Sequence, residues 1–169
     1  MAPVTRMTSD TARNATHKHI RTTTLDVAYE ESGNPSGDPV FLMHGWPYDP
    51  RDYDNVLPAL GAAACRIIVP YLRGFGATRF LSTGTPRSGQ QAALGNDLRE
   101  LMDALSAQRA VLAGYDWGGR AACIVSALWP ERARLGHRQQ LQHSGYPELR
   151  QTGVTGARAP PMVSVLFQY

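Results

Sequence analysis

The sequence predicts an α/β domain, a mostly parallel sheet flanked by helices, and three observations carry that prediction. Short apolar runs occur at Val40–Met43, Cys65–Val69, where Arg66 is the one polar residue, and Ala110–Ala113. Such runs suit central strands buried on both faces, whereas a strand with one wet face alternates apolar and polar residues. Between the runs lie stretches with helical spacing, and strand alternating with helix builds a parallel sheet. The first and last runs also end at glycine turns, His44-Gly45 and Gly114, and in such a sheet ligands meet the carboxyl ends of the strands.

Residues 1–18 lack the apolar stretch of a secretory signal and read as a disordered polar leader, which leaves the cytoplasm as the default compartment. His19 to Glu31 is rich in Thr, Val and Tyr with partial alternation, and Ser32 to Pro39 is dense in Gly, Pro and Asn. That pattern predicts an antiparallel edge followed by a loop. Strands are expected near 40–43, 65–69 and 110–115. Helices are expected near 52–63, where Val56, Leu57 and Leu60 share a face, and near 88–106, where Leu94, Leu98, Leu101, Met102 and Leu105 recur at helical spacing. A third, over 117–128, is small and apolar and ends before Trp129-Pro130, since the residue preceding proline disfavours helix.

The chain has 169 residues, 43% hydrophobic and 18% charged, enough for one globular core. Its apolar runs are far shorter than the roughly 20 residues of a membrane helix. The net charge of +3 comes entirely from the end of the chain: residues 1–133 hold 13 Lys and Arg against 13 Asp and Glu, and residues 134–169 hold four Arg and one Glu. Without a basic stripe interleaved with aromatics, nucleic-acid binding is not expected. Cys65 and Cys123 read as small buried thiols, with no disulfide, metal or cofactor implied.

Chemistry is concentrated in Gly114-Tyr115-Asp116-Trp117-Gly118. The sequence has the small-x-nucleophile-x-small form of a nucleophile elbow, a strained strand-to-helix turn that pushes one side chain forward while flanking glycines relieve crowding. Here the nucleophile position is Asp116. A carboxylate oxygen can attack an electrophilic carbon directly, giving an ester that water later cleaves. By itself Asp116 reads better as an N-cap of the following helix. The second motif, His44-Gly45-Trp46-Pro47, decides between the two, because the loop after that strand supplies one backbone N–H of an oxyanion hole and the residue after the nucleophile supplies the other. The expected donors are the Trp46 and Trp117 N–H groups. His44 is expected to orient the loop by hydrogen bonding, with Gly45, Pro47, Gly114 and Gly118 in supporting places.

His44-Gly45-Trp46-Pro47 and Gly114 to Gly119, with Tyr71-Leu-Arg-Gly-Phe-Gly76 between them, resemble the epoxide hydrolase branch of the α/β-hydrolase superfamily over about residues 19–133. The resemblance implies that Asp116 opens an epoxide through an alkyl-enzyme ester, that the Trp46-Pro47 bond is cis, and that the substrate is a small apolar molecule. Haloalkane dehalogenases share the Asp-Trp pair but usually have Asn after His-Gly, which ranks them second; a non-catalytic fragment is the third reading. The family often has Asp where this chain has Tyr71, which leaves Arg73 without its expected partner.

In the family a water-activating His and its acid follow a helical cap that contributes two tyrosines. The expectation is therefore an incomplete α/β-hydrolase fold, with the cap domain and C-terminal strands missing, in a chain that does not turn over. A further strand is expected after the helix ending near Trp129, yet from Leu135 the sequence is polar and Gln-rich. Synonymous codons for Leu135 to Tyr146, displaced by one base, allow Leu-Val-Thr-Val-Asn-Ser-Tyr-Asn-Ile-Gln-Asp, a strand pattern similar to the family's. Residues 134–169 are therefore expected to be an out-of-frame, poorly ordered tail. Nothing in the sequence sets the oligomeric state.

Overall fold

The computed structural model describes residues 16–135. Seven strands form one sheet in the order β1-β2-β4-β3-β6-β7, with β5 pairing the free end of β2. The strands are β1 (Thr16–Arg21), β2 (Leu25–Gly33), β3 (Pro39–Met43), β4 (Arg66–Pro70), β5 (Arg79–Phe80), β6 (Ala110–Gly114) and β7 (Ala133–Leu135). Neighbours β4, β3, β6 and β7 are parallel, and β1, β2 and β5 are antiparallel additions at one side. The helices are α1 (Leu57–Ala62), α2 (Gln91–Ala104) and α3 (Asp116–Leu128).

Strand β3 has both faces buried, as its continuous apolar run requires. Phe41 and Met43 point into a core shared with Leu94, Leu98 and Met102 of α2 and Ala121 and Val125 of α3. Val40 and Leu42 point the other way, onto Tyr53 and Leu57 at α1. Because side chains alternate along a strand, one five-residue segment serves both cores. The chain leaves β3 for β4 on one side and returns to β6 on the other, so β3 is the topological switch point, the place where sheets of this kind meet ligands at the carboxyl ends of their strands.

Four departures from the sequence reading are confined to short segments. The antiparallel edge is a hairpin of two strands, because the Thr22 hydroxyl accepts from the backbone N–H of Thr24 and Leu25 and turns the chain. Residues Thr16–Lys18, expected in the leader, belong to β1 and pair with β2. The helix expected over 52–63 is divided into a 3-10 turn at Pro50–Tyr53 and α1 from Leu57. Pro58 has no N–H to donate to the Asp54 carbonyl, so a helix running through both cannot close its ladder. Helix α2 likewise starts at Gln91, three residues after the expected Ser88.

The strand expected after α3 is β7, in which Ala133 pairs with Ala110 and Leu135 with Val111. It takes in Arg134 and Leu135, the first residues assigned to the tail. The remainder of the tail reading, and of the leader reading, lies outside the described residues. Among the described residues no helix is long and apolar enough to cross a membrane. Cys65 and Cys123 are half-buried rather than buried, and burial raises both thiol pKa values.

Candidate active site

Two strand ends build the site. At the end of β6 the chain passes Gly114 and Tyr115 into α3, whose first residue is Asp116. Asp116 has φ +47, in the left-handed region that a residue with a Cβ seldom occupies. A non-glycine held there stores backbone strain of order 1–3 kcal/mol, sustained by surrounding packing. Its neighbours have to be glycine for contact reasons. A Cβ on Gly118 would lie 2.1 Å from the Met43 carbonyl oxygen, and one on Gly114 would lie 2.7 Å from the Gly118 carbonyl carbon. The elbow is therefore pressed directly on the end of β3.

From that end the chain continues as His44-Gly45-Trp46-Pro47, with the Trp46-Pro47 bond cis. A Cβ on Gly45 would meet Asp116 Cβ at 2.7 Å and the Tyr115 ring at 2.7 Å, so the loop passes against the elbow as closely as backbone can. Its next amide, Trp46 N–H, donates to Asp116 Oδ1 at 2.9 Å. The ladder of α3 begins with Gly119 N–H donating to Tyr115 O at 3.0 Å. Trp117, second residue of the helix, thus has one of the amides that a helix leaves without an i−4 carbonyl.

His44 is fully buried, and both ring nitrogens are engaged: Leu72 N–H donates to Nε2 at 3.1 Å, and Nδ1 lies 3.0 Å from Gly45 O. With Nε2 accepting, the proton belongs on Nδ1, donating to Gly45. Burial lowers the pKa of this ring, chiefly by desolvating the charged form. His44 is thereby a neutral brace between the β3 loop and the loop after β4. The tryptophans differ: Trp46 is 63% exposed, while Trp117 is half-buried against the main core.

The sequence reading brought together Asp116, Trp46, Gly45, Gly114 and Gly118, and the structure does the same. It missed the supports beneath them. Tyr53 donates its hydroxyl to Met43 O at 2.9 Å, Tyr115 donates to Asp52 Oδ2, and Arg51 donates to the buried Glu30, which also accepts from Tyr71 at 2.9 Å. Burial, then the Asp52 contact, pushes the Tyr115 hydroxyl up to about 12. The partner of Arg73 is Asp97 of α2, met by two parallel bonds of 2.5 and 2.6 Å. Arg73 also donates to Ser88 O at 2.9 Å. One signal was available: Glu30 sits inside a strand pattern, and Arg51 lies in the turn that follows the next strand. Among the described residues no group of three His, Cys, Asp or Glu side chains could hold a metal ion.

A family model for the alpha/beta hydrolase fold matches residues 38–134. Among curated proteins, the chain is 38% identical over 87 residues to a soluble epoxide hydrolase of Corynebacterium sp., covering 52% of this chain and 29% of that one. It is 33% identical over 108 residues to a haloalkane dehalogenase of Psychrobacter cryohalolentis, covering 64% of this chain and 35% of the other. Among solved structures, a provisionally assigned epoxide hydrolase from Klebsiella pneumoniae is 53% identical, with a TM-score of 0.68 over 69% of this chain and 39% of that chain. The chain spans about a third of the length of the curated relatives it matches.

Proposed function

The chain belongs to the α/β-hydrolase fold family, and from that premise we propose that it carries the nucleophilic half of an epoxide-hydrolase-type site, with Asp116 attacking a small apolar epoxide. The observation that carries the reading is the hydrogen bond from Trp46 N–H to Asp116 Oδ1. It divides the labour between the two carboxylate oxygens. Oδ1 is engaged by backbone, so Oδ2 is the atom that attacks. Its electron pair forms a bond to an epoxide carbon, that carbon's bond to the ring oxygen breaks, and the oxygen, still held by the other carbon, becomes an alkoxide that takes a proton from water.

The product is an ester of Asp116 in which Oδ1 is the carbonyl oxygen. When water adds to the ester carbon, negative charge develops on Oδ1, where Trp46 N–H already points, and the Trp117 N–H is the second donor in this reading. Placing donors where charge will develop is the essence of an oxyanion hole, each donor lowering the barrier by about 3 kcal/mol. Collapse releases the diol and restores the carboxylate. Activating that water needs a base with a free lone pair. Among the described residues His44 has both nitrogens engaged, and His17 and His19 lie beside Glu30 and Asp26 on the far edge of the sheet.

Incubated with styrene oxide, the protein is expected to gain the mass of one epoxide on Asp116, located by peptide mass spectrometry, with the adduct persisting rather than turning over to diol. Asp116→Asn is expected to gain nothing. A wild-type protein that stays unmodified, or an adduct on another residue, would sink the nucleophile assignment. A haloalkane run in parallel tests the dehalogenase reading, in which Asp116 displaces halide; Trp46 after His44-Gly45 weighs against it. Adduct formation with haloalkane but not epoxide would reverse the ranking.

A further inference from the structure

Three consecutive side chains of the 3-10 turn at Pro50–Tyr53 reach three different parts of the fold. Arg51 reaches Glu30 on β2, Asp52 accepts from Tyr115 of the elbow, and Tyr53 donates to Met43 O at the end of β3. This turn closes the loop that begins at His44 and carries Trp46. The start of the loop is fixed by the buried His44 ring. Its far end is fixed by the turn, and the Asp52 hydrogen bond, beside the Tyr53 ring packed near Tyr115, joins that end to the residue next to Asp116.

We propose that the Tyr115–Asp52 hydrogen bond is a positioning contact for the nucleophile, holding the elbow in register with the loop amide that grips Asp116. The proposal rests on the reading of Asp116 as nucleophile. The bonded geometry explains why this pair and not a neighbour does the work. Tyr115 is the residue before Asp116, and its ring lies against Gly45, the residue before Trp46. Tyr115 and Gly45 are thus paired neighbours of the two groups joined by the 2.9 Å contact. A rotation of the Tyr115 side chain would be felt on both sides of that contact at once. The φ of +47 at Asp116 makes the elbow a conformation that external contacts must sustain.

Asp52 is exposed, so the pair contributes little to the folded state as a whole, and its removal separates positioning from folding. Tyr115→Phe deletes one hydroxyl, Asp52→Ala deletes the acceptor, and Asp52→Asn keeps an acceptor while removing the charge. Two readouts are taken on the full chain: the rate of adduct formation with styrene oxide, and the exchange rate and chemical shift of the Trp46 amide by NMR. Misplacement of reacting groups by about an ångström costs up to about 100-fold in rate, and a partial loosening of this contact is expected to cost about tenfold. Tyr115→Phe and Asp52→Ala should each show that loss with a faster-exchanging Trp46 amide, and the double variant should be no slower than either. Asp52→Asn should stay close to wild type in both readouts.

Wild-type rates and an unchanged Trp46 amide in Tyr115→Phe would overturn the proposal. So would an Asp52→Asn that matches Asp52→Ala, because the charge and not the bond would then be responsible. If Tyr115→Phe does not fold, the exposed Asp52 variants decide alone. If wild type forms no adduct, the nucleophile reading fails, and the Trp46 amide still reports whether the pair holds the loop against the elbow.

Discussion

Gly118→Ala is expected to cost about 2 kcal/mol of stability and to slow alkylation of Asp116 by about 100-fold. Alanine replacing glycine inside a helix ordinarily stabilises by about 1 kcal/mol, so the sign depends on what the added methyl meets. At Gly118 it meets backbone: Met43 O at 2.1 Å, Met43 C at 2.4 Å and His44 O at 2.5 Å. Met43 O has little freedom to retreat, since Tyr53 Oη holds it at 2.9 Å and Tyr115 N–H approaches it at 3.4 Å. The helix must therefore back away from β3, carrying Asp116 off the Trp46 amide.

Gly61→Ala in α1 is the matched control, because nothing lies within 4 Å of its added Cβ. It is expected to stabilise by about 1 kcal/mol and leave alkylation unchanged. Urea unfolding and adduct kinetics on both variants supply the comparison. A Gly118→Ala protein as stable and as reactive as Gly61→Ala would show that the elbow is not pressed on β3 as closely as these distances state.

The parts of this fold that were legible in the sequence are those whose cause is local. Val40–Met43 is apolar throughout because the strand is buried on both faces, and a reader needs only that run to place it at the centre of a sheet. Gly114 and Gly118 flank Asp116 because a turn this tight excludes Cβ atoms, so the constraint is written beside the residue it serves. Local breaks are written in the sequence too, and Pro58 is the clearest case, since it divides the stretch 52–63 into a turn and α1.

What the sequence concealed were pairs joined only by folding. Glu30 and Arg51, Asp52 and Tyr115, and Arg73 and Asp97 are each distant in sequence, and each residue on its own reads as solvated charge or polar surface. Asp97 is the sharpest example, a carboxylate beside the apolar stripe of α2 whose arginine partner comes from the loop after β4. The departure at Tyr71 pointed away from the answer as well. With aspartate absent there, Arg73 looks unpartnered, whereas Tyr71 donates to Glu30 and Asp97 pairs with Arg73.

That hidden ion pair gives the largest stability effect expected in the molecule: Arg73→Ala should cost about 3 kcal/mol near neutral pH, and much less as the pH falls toward about 4. The side chains of Arg73 and Asp97 are 8% and 12% exposed, so deleting one strands the other charge out of water. Burial already raises the Asp97 pKa above the ordinary 3.8, even though Arg73 pulls it down. A raised carboxylate pKa means that the folded state binds the proton more tightly than the unfolded chain. Stability therefore falls as pH rises through the interval between the unfolded and folded values. Without Arg73 the folded value climbs further and that interval widens upward. At acidic pH Asp97 is neutral in both states, and the deficit shrinks to the lost bonds with Ser88 O and Ala93 O and the lost stacking on Phe80. Chemical denaturation at a series of pH values measures the difference directly, and adding Asp97→Asn to Arg73→Ala should flatten its pH dependence. A deficit that stays constant from about pH 4.5 to pH 7.5 would rule out the buried charge as its cause. The consequence for the site runs through Leu72, the residue before Arg73, whose N–H holds His44 Nε2. Loosening the loop after β4 frees the ring that braces Gly45, so alkylation of Asp116 should slow with the same pH dependence as the loss of stability.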